Sequence, residues 1–183
     1  YMNNVFKLQL DEMRKHMPPS ATHKPAMDDF LRQVQQCLVA IEAVEPQPLS
    51  AAIRALERRV GCRVHVPFAE PVPRGDPAYA IGFEAPRTLH LVGSWPLQTA
   101  VRRPGDMDVD VEAVMPSTLF QEKDTLNARY FTKRAFYLAV LAAHLRQEKH
   151  DVFYAFVGGD RRRACVVLRP KALSKLRAVV RIH

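Results

Sequence analysis

The most restrictive feature of this sequence is the run from Asp106 to Val114, in which acidic and apolar residues alternate. Successive side chains of a β-strand point to opposite faces of the sheet, so this period of two predicts a strand with one buried face. Its apolar residues should face the core, and the opposite face should carry Asp106, Asp108, Asp110 and Glu112. A solvated acidic face is the simplest interpretation of that pattern, and a site that binds cations is the alternative.

A candidate phosphate-binding turn precedes this strand. Gly93 and Ser94 follow a short apolar run, and thirteen residues lie between Ser94 and Asp108. A glycine lets a phosphate approach the backbone, and a serine at the start of a helix offers a hydroxyl and free amide hydrogens. Carboxylates at i and i+2 stand roughly 7 Å apart at the backbone, close enough to hold two metal ions about 4 Å apart. The combination is typical of the nucleotidyltransferase fold, with Asp108 and Asp110 as candidate metal ligands.

The carboxylate that would complete such a metal site is missing from the sequence. Enzymes of this fold normally take a third acidic residue from a later strand, and the candidate strand, Ala164–Pro170, carries none. Arg169 near that position would repel a divalent cation. We therefore predict a pseudoenzyme with no catalytic residue, no metal and no cofactor. The alternative is an active template-independent nucleotidyltransferase of the poly(A) or CCA-adding type, which would use magnesium and ATP at Asp108 and Asp110.

The remaining pattern predicts an α/β chain of the α+β kind in two parts. Apolar residues at helical spacing follow Asp28, and a second such stretch begins at Ser50 and ends at Gly61, which indicates a helical hairpin. The proline-rich segment Pro67–Pro77 is expected to be an extended connector. We divide the chain into an N-terminal helical extension, residues 1–66, and a nucleotidyltransferase-like domain, residues 67–183, within what we expect to be a longer protein.

The second part should contain a mixed β-sheet covered by helices. A short helix is expected to begin at Ser94, and Trp95 is expected to pack over the Gly93 turn and block a nucleotide. The other predicted elements are adjacent strands at Tyr79–Glu84 and Thr88–Val92, a helix over Asp124–Glu148, and a hairpin of Val152–Val157 with Ala164–Leu168.

The charge of the chain favours an acidic partner. Lys and Arg number 27 against 19 Asp and Glu, a formal charge of +8, which is compatible with nucleic-acid binding. No apolar run approaches the roughly 20 residues of a spanning helix, so no membrane partner is expected. The three cysteines form no CxxC pair, which indicates neither a zinc site nor a disulfide framework. Candidate RNA contacts, with solvated charged turns as the alternative, are Arg161, Arg162, Arg163, Arg102 and Arg103.

A more specific resemblance is carried by several longer runs. They are Asn4–Leu10, Pro67–Pro71, Val92–Ser94, Asp108–Asp110, Met115–Asp124 (MPSTLFQEKD), Asn127–Ala135 (NARYFTKRA) and Val167–Pro170. Together they resemble the Nrap family of nucleolar RNA-associated proteins over nearly the whole chain. The resemblance implies degenerate nucleotidyltransferase repeats in a scaffold of the small-subunit processome, located in the nucleus and nucleolus. The partners it implies are ribosome-assembly proteins, including an RNA-binding partner protein, and pre-rRNA or small nucleolar RNA.

Overall fold

The computed structural model describes residues 5, 7–9, 11, 12, 24–97, 107–125, 128–170 and 178–183. Its long helices are α1 (Lys24–Val39), α2 (Leu49–Val60) and α3 (Arg129–Gln147). Its strands are β1 (Val44–Gln47), β2 (Ile81–Phe83), β3 (Thr88–Val92), β4 (Met107–Val114), β5 (Asp151–Phe156), β6 (Ala164–Arg169) and β7 (Ala178–Ile182).

The main sheet has five strands in the order β3-β4-β7-β6-β5. The β4 and β7 strands run parallel, and the other neighbouring pairs are antiparallel. This mixed sheet, together with the helices, confirms the predicted α+β class. The alternating strand is also confirmed, since Val109 and Val111 of β4 are buried whereas Asp108 and Asp110 are partly exposed.

The α3 helix lies at the centre of the described structure. It contacts β5 and β6 of the sheet, and α1 and α2 pack against it as well. Residues 135–143 of α3 are therefore all buried, because both the sheet and the two other helices remove water from its surface. None of the helices within the described part of the chain is long and apolar enough to cross a membrane.

The chain segment between α1 and α2 contains a strand that we did not predict. The β1 strand pairs with β2 in a separate two-stranded sheet, with Val44 opposite Phe83. Both predicted helices are present, but they are joined through this strand and not by a simple hairpin loop. Pro46 is tolerated there because the register shifts between Val44 and Gln47, and proline is found in strands mainly at edges and irregularities.

The expectation that the strands around β2 and β3 are neighbours was wrong. Four residues separate them in the chain, which favours a hairpin, but β2 pairs with β1 and β3 pairs with the acidic strand β4. The hairpin of β5 and β6 is confirmed, with Val152 opposite Leu168. The strand β7 was missed, although its sequence Ala-Val-Val-Arg-Ile is rich in β-branched residues, the composition that favours strands.

The N-terminal helices and the sheet share one hydrophobic core. Phe30 of α1 and Leu56 of α2 belong to the same buried cluster as Phe136 of α3. The connector after α2 is tied to β5 by a hydrogen bond of 2.9 Å that the Tyr154 hydroxyl donates to the carbonyl oxygen of His65. Burial raises the pKa of that tyrosine to about 12. The division between residues 66 and 67 stays a prediction, which limited proteolysis would test.

Candidate nucleotidyltransferase-like site

The structure brings the Gly93 turn next to the acidic strand. Because β3 pairs with β4, Val92 lies opposite Asp110, and the chain turns immediately afterwards. Gly93 has a φ of +75°, a left-handed conformation that favours glycine. A Cβ atom at Gly93 would lie 3.4 Å from Oδ2 of Asp110, so the backbone of the turn is packed closely against that carboxylate.

The residues after Gly93 differ in their exposure. Ser94 is exposed in a turn that runs to Leu97. Trp95 is only 8% exposed and belongs to the main hydrophobic core. Residues 98–106 lie outside the described residues. This range contains most of the helix expected from Ser94 and also the candidate RNA contacts Arg102 and Arg103.

A cation from β7 contacts both aspartates of the candidate site. The register of the parallel pair places Arg181 opposite Asp110. Nη2 of Arg181 lies 3.1 Å from Oδ2 of Asp108, and its Nη1 lies 3.6 Å from Oδ1 of Asp110. Burial alone would lower the pKa of Arg181, but the contact with Asp108 and the charges of both aspartates raise it. The guanidinium is therefore a stable positive charge between the two carboxylates.

A histidine completes this group of side chains. Nε2 of His183 lies 3.3 Å from Oδ1 of Asp110. The backbone holds His183 in place, since its N–H donates to Val111 and its carbonyl oxygen accepts from Ala113. We call Asp108, Asp110, Arg181 and His183 the Asp108 cluster. Each of these side chains is about one third exposed, so the cluster is accessible from solvent.

The strand that flanks the aspartates is not the one expected from the sequence. β7 lies between β4 and β6, so the predicted strand Ala164–Pro170 is one position too far away to complete a metal site with Asp108. The guanidinium of Arg169 stacks on Phe153 of β5, 5.2 Å from the ring centre. The charge that stands against the acidic pair is therefore that of Arg181. Arg181 is the one charged residue in the β-branched run Ala178–Ile182, and this is the signal by which the sequence indicates it.

The Asp108 cluster pairs its two carboxylates with a cationic side chain of the protein. Within the described ranges, no group of three or more His, Cys, Asp and Glu side chains is arranged to hold a metal ion. Glu84 accepts a hydrogen bond of 2.8 Å from Thr118, next to the smaller sheet. Glu112 is exposed on β4, opposite His90. Among the residues that the structure describes, the charged side chain that contacts both Asp108 and Asp110 is therefore a guanidinium and not a third carboxylate.

The three consecutive arginines lie between β5 and β6. They form one exposed turn of 3-10 helix, and Asp160 accepts a hydrogen bond of 2.9 Å from the backbone of Arg162. Arg161 lies 3.8 Å from Glu70, and the guanidinium of Arg162 lies 5.8 Å from the centre of the Phe131 ring. The turn thus presents several positive charges to solvent, and two of them have partners within the chain.

Comparison with known proteins identifies the family. The family model described as Nrap protein domain 1 matches residues 46–183. The chain belongs to the Nrap family. Nucleolar protein 6 of Homo sapiens is 32% identical over 100% of this chain, and U3 small nucleolar RNA-associated protein 22 of Saccharomyces cerevisiae is 30% identical over 87% of it. The chain spans 15% and 13% of the lengths of these two relatives.

Membership of the Nrap family confirms the resemblance deduced from the sequence runs. Nucleolar protein 6 of Xenopus laevis is also similar, with 27% identity over 100% of this chain. The names of these relatives place them in the nucleolus, which confirms the predicted nuclear and nucleolar localisation.

The longest Nrap-like run has a structural role that the sequence did not reveal. Asp124, at the end of MPSTLFQEKD, is only 1% exposed and forms an ion pair of 2.6 Å with Lys133 of α3. The same carboxylate accepts a hydrogen bond of 2.8 Å from the N–H of Gln121. The Lys133 ammonium also donates to the carbonyl oxygen of Leu119, at 2.7 Å. These contacts fasten the loop after β4 to the first turns of α3.

Proposed function

We propose that this Nrap domain is a non-catalytic part of a scaffold for assembly of the small ribosomal subunit. The observation that carries the proposal is the guanidinium of Arg181, which contacts both Asp108 and Asp110. The names of the relatives, nucleolar protein 6 and U3 small nucleolar RNA-associated protein 22, support a role in nucleolar ribosome biogenesis. In this proposal the domain binds other assembly proteins of the small-subunit processome, and its basic surface binds RNA.

The proposed loss of catalysis follows from the charges around the two aspartates. In a two-metal site, carboxylates hold the cations that align a triphosphate for in-line attack. Here Asp108 and Asp110 already contact a cationic side chain, and a divalent ion beside that guanidinium would be repelled. In this proposal the domain is a pseudo-nucleotidyltransferase. It keeps the turn and the acidic strand of a nucleotidyltransferase, and it has lost the ability to bind metal and ATP.

An incorporation assay tests the absence of catalysis. The chain is incubated with magnesium, labelled ATP and a short RNA primer, beside an active poly(A) polymerase as positive control. We expect no primer extension by the unmodified chain, because the guanidinium of Arg181 contacts both Asp108 and Asp110. Extension by the unmodified chain that disappears in the Asp108→Ala and Asp110→Ala variants would establish the active poly(A) or CCA-adding alternative.

If the turn between β5 and β6 contacts RNA, the RNA affinity of the chain should depend on salt concentration. Replacing Arg161, Arg162 and Arg163 with serine should weaken binding of a single-stranded RNA at low salt at least several-fold. The logarithm of the affinity decreases linearly with the logarithm of the salt concentration. If each arginine neutralises one phosphate, this dependence should become shallower in the triple variant, by about 2 in the magnitude of the slope. Fluorescence anisotropy with a labelled oligonucleotide between 50 and 200 mM salt measures both quantities, a range over which phosphate contacts strongly affect affinity.

A matched variant separates a specific contact from a general effect of charge. Arg58, Arg63 and Arg87 are exposed at other places in the chain, and replacing all three with serine removes the same charge. This control should keep most of the RNA affinity. An equal loss in both triple variants would contradict a contact at the turn between β5 and β6.

A further inference from the structure

The contact between Arg181 and the aspartates also connects two strands. Asp108 and Asp110 belong to β4, whereas Arg181 belongs to β7, its parallel neighbour. One guanidinium nitrogen faces each carboxylate, at 3.1 and 3.6 Å. The planar fork of an arginine side chain is suited to such a double contact, which the single ammonium of a lysine does not reproduce.

We propose that the guanidinium of Arg181 is the resident cation of this site, taking the place of a divalent metal ion between the two aspartates and joining β4 to β7. The inference rests on the proposed absence of catalysis, and it adds that the guanidinium occupies the place of the metal ion itself and links the two strands. Two carboxylates on one strand face repel each other unless a cation lies near them. Arg181 supplies that cation permanently, as part of the chain.

The surroundings of Arg181 keep its side chain in this place. Its neighbours in β7, Val180 and Ile182, are completely buried, and β7 is paired on one side with β4 and on the other with β6. Since both flanking side chains are anchored in the core, the strand cannot rotate to turn Arg181 away from the aspartates.

The remaining contacts of Asp110 involve the protein as well. Its Oδ1 faces both Arg181 and His183, and its Oδ2 faces the turn at Gly93. Protein groups therefore approach both oxygens of this carboxylate. A metal ion that bound Oδ1 would have to compete with the guanidinium for it.

Replacing Arg181 with aspartate tests this inference directly. In the full chain, Arg181→Asp removes the resident cation and places a third carboxylate beside Asp108 and Asp110. We expect the variant to bind Mn²⁺ at least tenfold more tightly than the unmodified chain, measured by electron paramagnetic resonance titration of free Mn²⁺. Its melting temperature should rise on addition of Mn²⁺, and the melting temperature of the unmodified chain should not change.

Two further variants control for charge and for folding. Arg169→Asp makes the same charge change on β6, where the arginine stacks on Phe153, and it should gain no Mn²⁺ affinity. Arg181→Ser removes the cation without adding a charge, so it tests the inference if three adjacent carboxylates prevent folding. We expect its Mn²⁺ affinity to lie between those of the unmodified chain and Arg181→Asp.

The results distinguish this inference from the proposed function. If the Arg181 variants fold but bind Mn²⁺ no better than the unmodified chain, Arg181 is not the resident cation, while an absence of primer extension would still support a non-catalytic scaffold. If the unmodified chain binds Mn²⁺ as tightly as Arg181→Asp, the inference is overturned, and primer extension by the same protein would overturn the proposed function too.

Discussion

Replacing Asp124 with asparagine should lower the unfolding free energy of the chain by about 3 to 5 kcal/mol, since breaking a buried ion pair strands an uncompensated charge. The charge that is left is the ammonium of Lys133, whose side chain is 10% exposed and lies 2.6 Å from the carboxylate. The variant also weakens the attachment of the loop after β4 to α3. Urea denaturation followed by circular dichroism measures the loss.

An exposed ion pair within the same chain provides the control. Asp29 pairs with Arg32 on α1, where the two side chains are 65% and 69% exposed. Asp29→Asn makes the same chemical change in a solvated pair, and it should cost less than about 1 kcal/mol. Equal losses in Asp29→Asn and Asp124→Asn would contradict the larger stabilisation assigned to the pair at Asp124.

The same carboxylate makes the stability of the chain depend on pH. Burial alone would raise the pKa of Asp124, but Lys133 and the N–H of Gln121 lower it below the ordinary value of 3.8. An unfolded chain then takes up this proton at a higher pH than the folded chain does, so acid favours unfolding. The stabilisation by Asp124 is complete above about pH 5 and is lost as pH falls through the depressed pKa. The difference in unfolding free energy between the unmodified chain and Asp124→Asn should therefore shrink below pH 4 in urea titrations.

Replacing Trp95 with alanine should also be strongly destabilising, by about 3 kcal/mol, the lower end of the range for removing a large buried aromatic side chain. Trp95 is the only tryptophan of the chain, and it is 8% exposed in the same core as Val109 of β4. Because Trp95 lies two residues after Gly93, we expect its burial to hold the turn against the sheet. Urea denaturation followed by circular dichroism gives the free energy without relying on tryptophan fluorescence.

A neighbouring residue serves as the comparison for Trp95. Leu97 lies two positions later in the same turn and is 72% exposed. Leu97→Ala should change the unfolding free energy by no more than about 0.5 kcal/mol, as is usual for surface substitutions. If Trp95→Ala is as mild as Leu97→Ala, the tryptophan does not anchor the turn.

Local patterns predicted the elements whose partners lie close in the sequence. The alternation of Asp108 and Asp110 with apolar residues indicated β4, and two β-rich runs on either side of Gly158 and Gly159 indicated the hairpin of β5 and β6. The alternation in β4 and the turn glycines between β5 and β6 each lie within a short stretch of the chain, so they can be recognised from local sequence. Patterns of this kind do not indicate which distant strand becomes a neighbour, so the pairings of β1 with β2 and of β4 with β7 could not be predicted.

The sequence by itself determined the Nrap family, the fold class, and the spacing that places an acidic pair after the Gly93 turn. The residues that face this pair were decided only by tertiary structure. His183 lies 73 positions from Asp110 in the chain, and it arrives beside Asp110, together with Arg181, because β7 inserts between β4 and β6. The physical reason is that strand order in a sheet depends on which apolar faces can be buried together across the whole fold, and that is a property of distant segments in combination.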